Sequence, residues 1–207
     1  MTLAGKLAQG VAELRLGLPA YAEQRLIDYV ALIQKWNKTY NLTAVRETQS
    51  MLSHHLLDCL AVLPHVSAQT ILDVGSGAGL PGVPLALALP QARVTLLDSS
   101  HKKAAFLKQA VIELGLENAS VVCERVESWR PQHKFELVIS RAFSDLHELL
   151  GLAGHLCEKS GVVAAMKGVY PHQELARLPE AFRVKSVVAL KVPGLRAARH
   201  LVLMQPA

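Results

Sequence analysis

The chain has 207 residues, 51% of them hydrophobic, and a net charge of +5. That length suits one domain plus an extension, and the apolar share is ample for a packed core, which excludes a disordered chain. Apolar runs such as Val83 to Leu89 fall well short of the roughly 18 to 20 residues that span a bilayer, and Gln9, Glu13 and Arg15 stand where a signal peptide would be apolar, so a cytoplasmic protein is expected.

Up to about Pro64 the pattern is helical, and residues 1–66 are expected to form a helical extension packed on a domain of residues 67–207. Leu26, Tyr29, Val30, Ile33 and Trp36 or Asn37 recur at three and four residues, which predicts an amphipathic helix from Tyr21 to Trp36. Lys35 to Arg46 then carries three cations and two aromatics with no acid. It reads equally as a grip on RNA, with cations on phosphates and a ring on a base, or as Trp36 and Tyr40 packing on the core beside solvated lysines. A further helix is predicted from about Glu47 to Leu63, with Leu52, Leu56, Cys59, Leu60 and Leu63 on one face and with His54 and His55 in reach of Asp58.

The most informative stretch is Ile71 to Gly82, ILDVGSGAGLPG. An apolar run closed by an acid is followed by a glycine turn, and Val83 to Ala88 resumes as a helix whose first turn tolerates Pro81 or Pro84. Counting from Gly75, the dinucleotide pattern G-x-G-x-x-G fails because Leu80 holds the last position, and no Lys and Ser/Thr follow Gly82 as a triphosphate loop requires. What remains is a turn with free N–H groups for a small anion such as an amino-acid carboxylate, as in S-adenosylmethionine (SAM) enzymes. Arg93 to Asp98 ends a second strand 23 positions after Gly75, placing a carboxylate to accept both hydroxyls of a ribose.

Strands and helices then alternate, which implies a mostly parallel sheet. Ser99 or Ser100 caps a helix burying Phe106, Leu107, Ala110, Val111 and Leu114, with Gly115 at its end. Ser120 to Cys123, Phe135 to Ser140 and Gly161 to Met166 are strands, and Ser144 or Asp145 caps the helix of Leu146, Leu149, Leu150 and Leu156. Phe182 to Val192 and His200 to Met204 are separated by a loop too short for a crossover helix, so they pair antiparallel. The expected fold is α/β: a Rossmann-like class I SAM-dependent methyltransferase fold, a mostly parallel seven-stranded sheet ending in an antiparallel hairpin, with the N-terminal helical extension.

Ligands of open α/β sheets lie beyond the C-terminal strand ends, here Asp73 with Gly75, Asp98, Glu124 to Glu127, Ser140 to Phe143, and Lys167. The fourth tip, SRAF, lacks the Asn/Asp-Pro-Pro-aromatic turn of enzymes that methylate exocyclic amines. No cysteine is placed for covalent attack on a pyrimidine. An acceptor that is already nucleophilic, such as guanine N7, suits it, with catalysis by orientation and electrostatics. Cys59, Cys123 and Cys157 are widely spaced among apolar residues and are expected to be buried free thiols, and no metal site is expected.

Together KWNKTYNLTAVR, HHLLDCL, ILDVGSGAGLPGVPLA, LLDSSHKKAAFL, RVE, VISRAFS, MKG and RHLV resemble the glucose-inhibited division protein B family, the ribosomal small-subunit methyltransferases G. The likeness runs from about Tyr21 to the end. It implies methyl transfer from SAM to guanine N7 in a loop of 16S ribosomal RNA, naked or in the small subunit. It also implies that Gly75, Gly77 and Leu80 belong to the cofactor turn, Asp98 takes the ribose, Val126 and Glu127 flank the adenosine, and Arg141 reaches cofactor or target. Asn37, Asn41, His55, Lys167, Arg199 and His200 match crevice positions with a weaker claim on RNA. No catalytic base is implied, no membrane or metal is expected as a partner, and a monomer is expected. The rival readings are a methyltransferase for a small metabolite and a non-catalytic RNA-binding or assembly protein.

Overall fold

The structure is a computed structural model and describes residues 1–141, 143 and 145–207. Helix α1 (Leu3–Glu13) is capped by the Thr2 hydroxyl, and α2 (Ala22–Tyr40) runs one turn past Trp36 and stops where Asn41 turns left-handed. The next helical stretch is not uniform. It opens as α3 (Thr48–Met51), widens into a π-helix (Leu52–Leu57) and closes as α4 (Asp58–Leu60).

Seven strands form one sheet: β1 (Thr70–Val74), β2 (Arg93–Leu97), β3 (Ala119–Val122), β4 (Phe135–Ser140), β5 (Cys157–Lys167), β6 (Phe182–Ala189) and β7 (His200–Pro206), in the order β3-β2-β1-β4-β5-β7-β6. The first five are parallel, β7 runs antiparallel to β5, and β6 runs antiparallel to β7. The hairpin is therefore folded back, its second strand lying inside and its first at the edge. Strand β5 starts at Cys157 rather than Gly161, its first residues pairing past a bulge opposite Phe135. The linking helices are α5 (Gly82–Ala88), α6 (His101–Glu113), α7 (Leu146–Ala153) and α8 (His172–Leu175).

Alternation along each strand divides the core between the two faces. Ile71, Leu96, Ile139, Ala164 and Leu203 join the cluster that also holds Leu26, Tyr29, Leu56 and Phe106, so the N-terminal helices and α5 and α6 cover one face. Leu72, Leu97, Val138, Val163 and Val202 turn the other way, onto α7 through Leu146, Leu149 and Leu150. The caps of α6 and α7 are Ser100 and Asp145; the expectations for Ala142 and Ser144 lie outside the described residues. Among the described residues no helix is long and apolar enough to cross a membrane. Cys59 and Cys157 are buried, but Cys123 is only half-buried at the tip of β3, its Sγ 3.4 Å from His101 Nδ1, which corrects the expectation for that thiol.

Candidate cofactor cleft and its neighbouring arginines

Strands β1 and β2 pair in register from Thr70 with Arg93 to Val74 with Leu97, so the glycine turn and Asp98 emerge side by side. Gly75, Gly77 and Gly79 all have positive φ, which is why this turn is built of glycine. Its N–H groups, however, are not free as expected. Gly75 and Ser76 donate to the Leu97 carbonyl, Gly77 to Asp98 Oδ2, Gly79 and Leu80 to the Ser76 carbonyl, and Gly82 to Asp73 Oδ2. Only the Ala78 N–H has no acceptor among the described residues. A turn this tight satisfies itself, and α5 is two turns long, so little remains of the expected anion-binding end.

What the turn does offer is a wall. A cleft of about 230 Å³ is lined by Gly75, Leu97, Asp98, Ser99, Lys103, Val126, Glu127 and Phe143 among others. Asp98 is held from three sides: Oδ1 accepts from Ser100 N, Oδ2 from Gly77 N, and Lys103 Nζ lies 3.6 Å away. A carboxylate has about four lone-pair positions, so acceptor capacity remains toward the cleft. A fixed carboxylate, apolar flanks from Leu97, Val126 and Phe143 and a glycine backbone suit a nucleoside, with its sugar on the acid and its flat ring between the side chains.

Of the seven residues expected at the cofactor, Gly75, Asp98, Val126 and Glu127 share this cleft, and Gly77 adjoins it through Asp98. Leu80 is turned into the core, its N–H bonded within the turn. Arg141 is turned toward the N-terminal helices: its Nη1 donates to the His54 carbonyl at 2.8 Å and to Asp58 Oδ2 at 3.4 Å. Arg199 reaches the same carboxylate, Nε to Oδ1 at 3.1 Å. Asp58 thus ties two guanidinium groups that are 58 positions apart in the chain. Burial pushes its carboxyl up, and Arg141 and then Arg199 pull it back toward the charged form.

This overturns the expected bond from His54 or His55 to Asp58. The stretch is a π-helix, bonded i to i+5, and both rings find other partners while Asp58 is taken by the two arginines. His54 Nδ1 turns to the Ser50 carbonyl, and His55 Nε2 sits 2.9 Å from Thr43 Oγ1. Asn37, buried, brackets the same Thr43 with its amide oxygen and nitrogen on that residue's N–H and carbonyl. Asn37 and His55 therefore brace the 41–45 loop instead of facing the crevice. Trp36 packs on Phe106, whereas Tyr40, Lys35, Lys38 and Arg46 are exposed, so the basic stretch divides between the two readings. Lys167 is ion-paired with Glu174 at 2.8 Å.

Two features escaped the sequence reading. Tyr29, fully buried in α2, donates to the Ala78 carbonyl and pins the glycine turn to the extension. Asp73, expected only as a strand tip, is the next-to-last residue of β1 and fully buried with Oδ1 unpartnered, and burial raises its carboxyl to about 7. The first could not be read because its two ends lie 49 positions apart with no pattern joining them.

The description "rRNA small subunit methyltransferase G" matches residues 22–202. The chain is 56% identical over 214 aligned residues to the ribosomal RNA small subunit methyltransferase G of Nitrosospira multiformis, covering 100% of this chain and 99% of that one. It is 58% identical to that of Laribacter hongkongensis, covering 98% of each. Among solved structures it resembles a SAM dependent methyltransferase from Aquifex aeolicus, with a TM-score of 0.60 and 21% identity over 75% of this chain and 92% of that one. The mitomycin 7-O-methyltransferase MmcR gives 0.64 and 17% over 85% and 60%. At such identities these two speak for the fold alone, that of SAM-dependent methyltransferases.

Proposed function

Since the chain belongs to the rRNA small subunit methyltransferase G family, we propose that it methylates N7 of a guanine in 16S ribosomal RNA, with SAM as donor. The observation that carries this reading is the single cleft in which the glycine turn after β1, the Asp98 carboxylate and the β3 tip meet. Gly75 and Gly77 leave room for the donor, Asp98 is placed to accept its sugar hydroxyls, and Val126, Leu97 and Phe143 flank its base. When bound, SAM supplies a sulfonium methyl group open to attack. Guanine N7 presents an in-plane lone pair and needs no proton removed, so the chain has to orient and to exclude water rather than supply a base. Arg141 and Arg199 around Asp58 leave a net positive charge just past the C-terminal end of β4 and just before the start of β7, which suits a polyanion. The reading places the chain in the cytoplasm, as a monomer, with RNA or the small subunit as its partner.

Incubation with radiolabelled SAM and unmethylated small-subunit RNA, protein-free or within the subunit, should place label at guanine N7; label elsewhere, or none on either, defeats the proposal. In the same assay Asp98→Ala should weaken binding of S-adenosylhomocysteine about 10- to 100-fold, the worth of a hydrogen bond to a charged group. Unchanged affinity would remove Asp98 from the donor site.

A further inference from the structure

At the C-terminal end of β5 the chain makes a short exposed shelf. Val169 is 77% exposed and Tyr170 41% exposed, unusual for large apolar side chains at a strand tip. The Tyr170 ring is held rather than loose. His172 lies against it with ring centroids 4.3 Å apart, and His200 meets it edge-on at 5.6 Å. His200 in turn is fixed by Nδ1 to the Gly168 carbonyl at 2.9 Å and by its pairing in register with Lys167. Glu174 clamps the loop from below, taking Lys167 Nζ and the Leu146 N–H, each at 2.8 Å.

The shelf borders the arginine pair described above. Arg199 precedes His200 and approaches Gly168, a Cβ there standing 4.0 Å from its Nη1. Arg199 and Arg141 share Asp58, and Phe143, two residues beyond Arg141, lines the cofactor cleft. Tyr170 thus follows a strand tip that Arg199 approaches, and β5 is paired in parallel with β4, so both strands end at the same C-terminal edge of the sheet as the cleft.

We infer that Tyr170, braced by His172 and His200, is a stacking platform for an unpaired RNA base next to the methylated guanine, with Arg199 on the adjoining phosphate. The inference rests on the RNA acceptor proposed above. A guanine presented to a methyl donor must leave its own stack, and its neighbours then lose stacking partners. A rigid ring with one open face replaces that contact without reading sequence, while a guanidinium takes the backbone charge. A protein partner would need a broader apolar face than this shelf provides.

The test uses the full-length protein and protein-free small-subunit RNA with radiolabelled SAM, comparing wild type with Tyr170→Leu, which keeps apolar bulk, and Tyr170→Phe, which keeps the ring. Tyr170→Leu should lower kcat/KM for RNA and the affinity for RNA in the presence of S-adenosylhomocysteine by about 10- to 100-fold. Tyr170→Phe should stay within about threefold of wild type. Affinity for S-adenosylhomocysteine and the unfolding midpoint should not move, since the ring is half-exposed. The inference is overturned if the Leu variant matches wild type, if Phe falls as far as Leu, if the loss follows a lowered midpoint, or if it shows only on intact subunits, which would point to a protein contact. Absence of transfer by wild type to protein-free RNA and to unmethylated small subunits alike, by contrast, defeats the RNA reading itself.

Discussion

His55 shows how one buried side chain can set a pH limit. It is almost wholly buried, its Nε2 bonded to Thr43 and its Nδ1 without a partner. Burial, and next the Arg141 guanidinium, lower its pKa to about 4 from 6.5. Because the folded state holds the proton less tightly than the unfolded chain, His55 contributes stability that is complete above about pH 6.5 and is lost as pH falls toward 4. The loss is roughly 3 kcal/mol by the lower limit. In urea unfolding from pH 7 to 4, the stability of wild type relative to His55→Gln should fall by about that amount. Other titrating groups cancel in the difference. A difference constant with pH would show that His55 is not held neutral.

At the scale of elements, the glycine turn is where backbone and packing requirements coincide. Gly79 has φ of +84°, and a Cβ there would stand 2.7 Å from Val83 Cγ2 and 3.0 Å from both Leu107 Cδ2 and the Tyr29 hydroxyl. Gly79→Ala should therefore destabilise by about 2 to 4 kcal/mol, overpacking adding to left-handed strain, and weaken S-adenosylhomocysteine binding together with the unfolding midpoint. Gly151, exposed in α7 with open space around it, should do the reverse: Ala there gains up to about 1 kcal/mol of helix propensity. Equal midpoints for the two variants would contradict the assigned geometry. The turn was also the most legible part of the sequence. Strand β4 has the bounds expected, and β1, β2 and the caps of α6 and α7 follow from apolar runs ended by Asp, Ser or Gly. Of the site, the parts near the turn in sequence or at strand tips were legible, namely Gly75, Asp98, Val126 and Glu127. The rest depended on side-chain direction and distant pairing, which spacing does not carry. Nothing in LSHHLL distinguishes a π-helix from an α-helix, and no spacing joins Asp58 to arginines 83 and 141 positions away. Hairpin length told that β6 and β7 pair, but not that β7 lies inside.

For the whole molecule, the net charge of +5 acquires a place. Lys35, Lys38 and Arg46 are exposed around a hollow of about 420 Å³ that Asn37 and Met51 also line. None of the three has an ion pair among the described residues. The Asn37 and His55 bonds to Thr43 brace the loop behind this patch, and His54, next to His55, accepts from Arg141. The patch is thus joined through the His54–His55 backbone to the arginine pair around Asp58. A polyanion lying along it would displace counterions, roughly 0.7 to 0.9 per phosphate neutralised, which fixes the slope of log affinity against log salt. Replacing Lys35, Lys38 and Arg46 together by Gln should reduce the steepness of that slope for small-subunit RNA by about 2 to 3. Affinity for S-adenosylhomocysteine should be unchanged at every salt concentration, because none of the three lines its cleft. The Tyr170→Leu variant should show the opposite signature, a weaker RNA complex with the wild-type slope, since stacking displaces no ions. If the triple variant keeps the wild-type slope, the RNA backbone does not cross α2, and the excess charge serves no contact on this face.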